Sequence, residues 1–244
     1  GLGNVERFEN YDGFIKESLL PNITPSFFYF KEAKTIVKER FINDTMEKFF
    51  EIYHSNSGQS STFNENVEIV DWLDSNLKNF DIVVVADYGN GFITKPMTEV
   101  ISKKSKFLAV NTQINSENRG YHVINRYNSA NFISLNEPEI RLARHDLKNS
   151  IVELSKDTAN LLKAEFISVT QGGNGLYTYC TKNDISLRVP ALSSNVIDRI
   201  GAGDAFLSIS AIALGSGINP EISIFLGALA AAIDVQIVGN ESTI

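Results

Sequence analysis

Asn131-Phe-Ile-Ser-Leu-Asn-Glu-Pro-Glu-Ile-Arg-Leu-Ala-Arg144 is the stretch that decides the fold. Its opening is a short apolar run of strand length. Pro138 suits the first turn of a helix, and Asn136–Arg144 has helical spacing. A strand therefore runs straight into a helix. The same apolar strands recur at Asp81–Asp87, Phe107–Asn111 and Glu165–Thr170, with a helical segment at Ser150–Leu162. Continuous apolar strands with helical crossovers predict an α/β fold, a mostly parallel sheet with helices on both faces. Ligands in such sheets bind beyond the carboxyl ends of the strands. Asp87, Asn111, Asn136 and Thr170 are therefore expected to line one crevice.

Outward from this region the pattern changes. Residues 5–20 have helical spacing, residues 24–53 are rich in aromatic and β-branched residues, and 54–63 form a polar loop. A small β region at 24–63 is expected inside a single domain spanning 1–244. It would act as a lid or as a homodimer face, because exposed apolar edges are usually covered. Toward the C-terminus, Leu176–Cys180 alternates as a strand. Ile222–Val238 reads as a buried helix running into a strand; Asp234 and Gln236 argue against a membrane span.

A net charge of -7 argues against nucleic acid as the main partner, and a 43% hydrophobic share is enough for a packed core. The one cysteine, Cys180, allows no internal disulfide and suits the cytoplasm. It is expected to be a packed strand residue. The opening Gly1-Leu-Gly-Asn-Val-Glu does not resemble a signal peptide.

The chemistry concentrates in Asp198-Arg-Ile-Gly-Ala-Gly-Asp-Ala-Phe206, followed by an apolar helix. A Gly-Ala-Gly turn opening a helix leaves backbone N–H groups unpaired, and the helix dipole adds positive potential there. Gly201, Ala202 and Gly203 thus suit a developing phosphoryl charge. Asp204 beside them can accept a proton from an attacking hydroxyl. The plainer alternative makes Asp204 an ordinary helix N-cap. Asn136 and Glu139, three apart on a helical turn, suit a hydrated Mg²⁺, or equally a helix cap. Thr170-Gln-Gly-Gly-Asn-Gly175 could admit a nucleotide or simply form a hairpin. Asp87-Tyr-Gly-Asn-Gly91 places an acid and a flexible turn at a strand end. No G-x-G-x-x-G or G-x-x-x-x-G-K-[ST] motif occurs.

Asp198–Phe206 resembles the C-terminal signature of the ribokinase/PfkB carbohydrate kinases. Asn136-x-x-Glu139 resembles that family's metal-linked motif, and Thr170-x-Gly172-x-x-Gly175 its nucleotide loop. Val110–Tyr121 and Val235–Asn240 resemble the branch of heptose-phosphate kinases and kinase–nucleotidyltransferase fusions.

The resemblance implies ATP-dependent phosphorylation of a sugar or sugar-phosphate hydroxyl. Asp204 would be the base and Gly201, Ala202 and Gly203 the anion hole. Asn136 and Glu139 would organise Mg²⁺ through water, with Asn136 also at the nucleotide. Thr170, Gly172 and Gly175 would line the ATP site, with Gly239 near the adenine. Asp198 and Ile200 would hold K⁺, although Arg199 departs from the usual small residue. Asn90 likewise stands where this branch often has Lys. The N-terminal strand and sugar-binding motifs of the family are not in the sequence. Either a fragment of a longer protein or a chain that has lost sugar binding is therefore expected, with a nucleotidyltransferase domain as a candidate neighbour of a fragment. The alternatives are a non-catalytic nucleotide-binding module, or a nucleoside or vitamin kinase of the same fold.

Overall fold

A computed structural model of the chain describes residues 2–3, 11–30, 35–43, 48–54, 63–115, 118 and 120–238. The chain divides into two compact units, Gly1–Trp72 and Leu73–Ile244.

In the first unit, β1 (Leu2–Gly3) pairs in parallel with β2 (Tyr29–Phe30), and α1 (Tyr11–Ser18) lies between them in sequence. β3 (Val37–Ile42) and β4 (Lys48–His54) form an antiparallel hairpin. Its cross-strand pairs explain why this aromatic stretch is β. Phe41 stacks on Phe50 with ring centroids 4.4 Å apart, and Arg40 Nε donates to Glu51 Oε1 at 2.9 Å across the same ladder. At the start of the β-rich stretch 24–53, only Tyr29–Phe30 is paired. Residues 5–10 and 55–62, parts of an expected helix and loop, lie outside the described residues. α2 (Phe63–Asn76) leads out of this unit.

The second unit is built on β5 (Val83–Asp87), β6 (Leu108–Thr112), β7 (Phe132–Asn136), β8 (Phe166–Thr170), β9 (Leu176–Cys180) and β10 (Ile185–Val189). These form one six-stranded sheet in the order β10-β9-β8-β7-β6-β5. β5 to β8 are parallel, while β9 and β10 return antiparallel. The reversal after β8 uses Gly172 and Gly175, with φ of 57° and 79°. β9 is buried along its whole length. Thr178 faces inward because Ser168 on β8 meets its hydroxyl at 2.7 Å. Cys180 is buried, as the strand reading expects.

The crossover helices are α3 (Lys95–Lys104), α4 (Glu137–Arg144) and α5 (Ile151–Leu161). α6 (Ala202–Gly215) and α7 (Pro220–Asp234) pack together and join Ala109, Phe132 and Phe166 of the sheet in one core through Phe206, Leu207, Ala211 and Ile224. A side chain at Gly227 would overlap Ser210 Oγ, so glycine permits the close approach of α6 and α7.

Two expectations about the C-terminal stretch fail. α7 is only half buried, with Ile222, Phe225, Leu229 and Ile233 exposed. No strand follows it among the described residues: residues 235–237 form turns. The Val235 carbonyl accepts from Ile197 N and Asp198 N, and Gln236 N and Ile237 N bond back to Ile233 and Asp234. These backbone groups are therefore committed to turns rather than to a ladder. No helix of the described residues is long and apolar enough to cross a membrane.

Candidate active site

The carboxyl ends of the parallel strands are aligned by register. Asp87 lies opposite Thr112, and Asn136 opposite Thr170. The segments after β5, β6, β7 and β8 therefore emerge on one side of the sheet, where α6 also begins.

α6 begins after Gly201, whose φ of 96° lies in the left-handed region and which has no side chain to cap the helix. Asp204 is thus the third helical residue, not the N-cap. Its carboxylate faces other chain segments: Tyr88 Oη donates to Oδ2 and Gln113 Nε2 to Oδ1, each at 3.1 Å. Burial pushes the Asp204 carboxyl above its usual range, while these two hydrogen bonds oppose the shift. A Cβ at Gly203 would meet no atom of the described residues within 4 Å, so the space beside that Cα is open. The first-turn N–H groups of α6 point out of the helix end by geometry.

Asn136 and Glu139 form a capping box. Asn136 Oδ1 accepts from Glu139 N at 2.9 Å, and Glu139 Oε2 accepts from Asn136 N at 2.8 Å. The capping alternative is therefore real, but it leaves Glu139 in an unusual state. Burial pushes its carboxyl up to about 7, against backbone bonds from Asn136 and Ile114, and the Asp204 charge adds to the rise. Gln113 and Ile114 are consecutive and bond Asp204 and Glu139 respectively, so both acids share one crevice.

The glycine loop is fastened to the same helix start. Gln171 Nε2 donates to Glu137 Oε2 at 2.8 Å, and Glu137 Oε1 accepts from Arg141 Nε at 2.8 Å. Gly172 and Gly173 would place a Cβ in open space, whereas one at Gly175 would strike the Val189 carbonyl. The loop is open on one side and packed at its end.

Asp198 Oδ1 accepts from Ile200 N at 3.0 Å, which orients the turn before Gly201. Asp234, at the end of α7, sits behind that turn: a Cβ on Gly201 would lie 2.8 Å from its Oδ2. That oxygen is buried with no hydrogen-bond partner among the described residues, and burial together with Asp198 and Asp204 raises its carboxyl.

One strand-end residue does not join this crevice. Asp87 is turned inward, 3% exposed, and accepts from Arg126 Nη1 and Tyr127 Oη at 2.8 Å, with His122 Nε2 at 3.0 Å. Burial alone would raise it, but His122 and Arg126 hold it below the usual carboxylate range. Asn111 Nδ2 donates to the Ser134 carbonyl at 2.8 Å, bridging β6 and β7 just past their last paired residues. Gly239 lies outside the described residues.

The sheet order and its helices are those of the ribokinase-like fold, as overlays on solved structures show. The chain overlays the ribokinase of Thermotoga maritima with a TM-score of 0.69 at 21% identity, covering 98% of this chain and 74% of that one. The Arabidopsis thaliana ribokinase complexed with ribose and ATP gives 0.70 at 18% identity, covering 98% and 75%. Phosphofructokinase-2 from Escherichia coli in complex with potassium gives 0.68 at 14% identity, covering 86% and 67%.

Residues 22–243 match the pfkB family carbohydrate kinase model, and the chain belongs to that family. Among relatives, the bifunctional protein HldE of Campylobacter jejuni subsp. doylei is 25% identical over 232 residues, covering 92% of this chain and 47% of the relative. HldE of Bradyrhizobium diazoefficiens is 24% identical over 209 residues, covering 84% and 42%. The chain spans about half the length of the relatives it matches.

Proposed function

We propose that this chain transfers the γ-phosphoryl group of ATP to a hydroxyl of a sugar or sugar phosphate, as the kinase part of a longer protein. The observation that carries this reading is Asp204, fixed beside the uncapped Gly201-Ala-Gly203 helix start with Glu139 in the same crevice. Asp204 accepts the proton of the attacking hydroxyl. The amides of Gly201, Ala202 and Gly203 face the charge that builds on the transferred group. Thr170, Gly172 and Gly175 line the nucleotide, with Gly239 at the adenine end.

Asn136 and Glu139 fit a hydrated Mg²⁺: a buried carboxyl raised by burial releases its proton to water when a nearby cation stabilises the carboxylate. Bound there, the ion would neutralise phosphate charge. Asp198 and Ile200 fit K⁺, with the unpartnered Asp234 Oδ2 supplying a further oxygen behind the same turn. The β3–β4 hairpin exposes Phe49, Phe50 and Ile42, which suits a lid or a homodimer face. Residues 24–63 would be that lid within one kinase domain spanning 1–244. The half-length match to HldE fits a nucleotidyltransferase domain elsewhere in the parent protein, working in the cytoplasm.

The test pairs binding with turnover. ATP–Mg²⁺ must raise the melting temperature by mass action. ADP release is then followed with a panel of hexoses, heptoses and their monophosphates in the parent protein. No thermal shift at millimolar ATP and no acceptor-dependent ADP would refute the assignment.

A further inference from the structure

Both oxygens of the Asp204 carboxylate are engaged by neutral donors from two different loops, one after β5 and one after β6. Those loops are fastened into a single body. Gln113 N donates to the Asp87 carbonyl at 2.9 Å. Asn118, itself 8% exposed, sends its amide to the carbonyls of Tyr88 at 3.3 Å and Gln113 at 3.2 Å, the two residues that reach Asp204. Asn115 Nδ2 donates to the Tyr88 carbonyl at 2.9 Å. Beneath them, the buried Asp87 anchors the start of the first loop, with Gly89 N donating to its Oδ1 at 3.3 Å. A Cβ at Gly89 would collide with Asn118, so glycine is needed for the two loops to close.

We propose that Tyr88 and Gln113 form a clamp that positions the Asp204 carboxylate, with Asn118 as the brace that sets the spacing of the clamp. The inference rests on the kinase reading of Asp204 but adds residues that reading does not contain. Neutral donors matter here. A lysine in either place would neutralise the base, whereas a phenol and an amide orient it and leave its charge available. The phenol stays protonated at any working pH, because burial and the Asp204 charge push it up to about 12. A carboxylate offers about four lone-pair sites. Two are used by the clamp, so an acceptor hydroxyl can still be received by a carboxylate whose direction is already set.

The test has two arms. In the first, Tyr88→Phe and Gln113→Met are measured for melting temperature, alone and in an Asp204→Ala background. The clamp requires each to cost about 2–4 °C in the wild type and nothing once Asp204 is gone. Equal losses in both backgrounds would overturn it, since the two side chains would then be only packing. In the second arm, the parent protein is assayed with whichever panel acceptor is turned over. Tyr88→Phe should lower kcat about tenfold, with KM for ATP unchanged within about twofold. Coupled melting with an unchanged kcat would overturn the positioning role. Coupled melting in a protein that phosphorylates no acceptor would refute the kinase assignment and leave the clamp standing.

Discussion

Glu139→Gln should make the protein more stable and a poorer kinase at the same time. The side chain is 5% exposed, and burial holds its carboxyl up at about 7 against an ordinary 4.5. Because the folded value is the higher one, the stabilising contribution is complete below about 4.5 and is lost as pH rises through 7. At ~1.4 kcal/mol per tenfold, the loss by pH 8 is roughly 3 kcal/mol. Glutamine does not titrate, and its one amide oxygen can still accept from Asn136 N, so the capping box survives while the longer Ile114 N contact is given up. Thermal unfolding without Mg²⁺ or nucleotide, from pH 5 to 8, would show a wild-type decline that is smaller in the variant. At pH 8 the variant should melt several degrees higher, given ~2–4 °C per kcal/mol for a chain of this size. Its affinity for ATP–Mg²⁺ should fall, with partial recovery at high Mg²⁺. A variant less stable at pH 8, or parallel pH profiles for the two proteins, would refute the view that Glu139 is a strained buried acid.

Two glycines of the candidate site should respond in opposite ways. Gly203→Ala adds a methyl group to open space, so it should leave melting nearly unchanged but lower phosphoryl transfer by obstructing the anion hole. Gly175→Ala, at φ 79° and against the Val189 carbonyl, should destabilise the protein by more than ~1 kcal/mol in chemical denaturation. Asp87→Ala should cost about 3–5 kcal/mol, because it leaves Arg126 without its buried partner; retention of wild-type stability would show that the network is dispensable.

Much of this architecture was legible because it is written locally. The passage of Asn131–Arg144 from strand to helix, and the glycines that open α6, are patterns within a few residues of one another. What escaped was set by distant partners. Tyr88 and Gln113 stand 116 and 91 residues from Asp204, and no spacing links them; the only clue was that Tyr88 follows the acid ending β5. Asp87 resembled a crevice residue because a carboxylate at a strand end usually faces ligand. Arg126 and Tyr127, about 40 residues on, draw it inward instead. Val235-Gln-Ile-Val238 is rich in β-branched residues, yet the Val235 carbonyl is taken by Ile197 and Asp198, so it joins no sheet.

The central claim, that Asp204 is the base of a phosphoryl transfer, is tested most directly by Asp204→Asn in the parent protein. Turnover and ATP affinity are measured on the same preparation. Asparagine is nearly isosteric and occupies the third position of α6 rather than its cap, so the fold should survive. It accepts no proton at neutral pH. In this variant kcat should fall about 10²–10⁴-fold with ATP–Mg²⁺ affinity within a few-fold of wild type. Retention of more than roughly a tenth of the wild-type rate would contradict it.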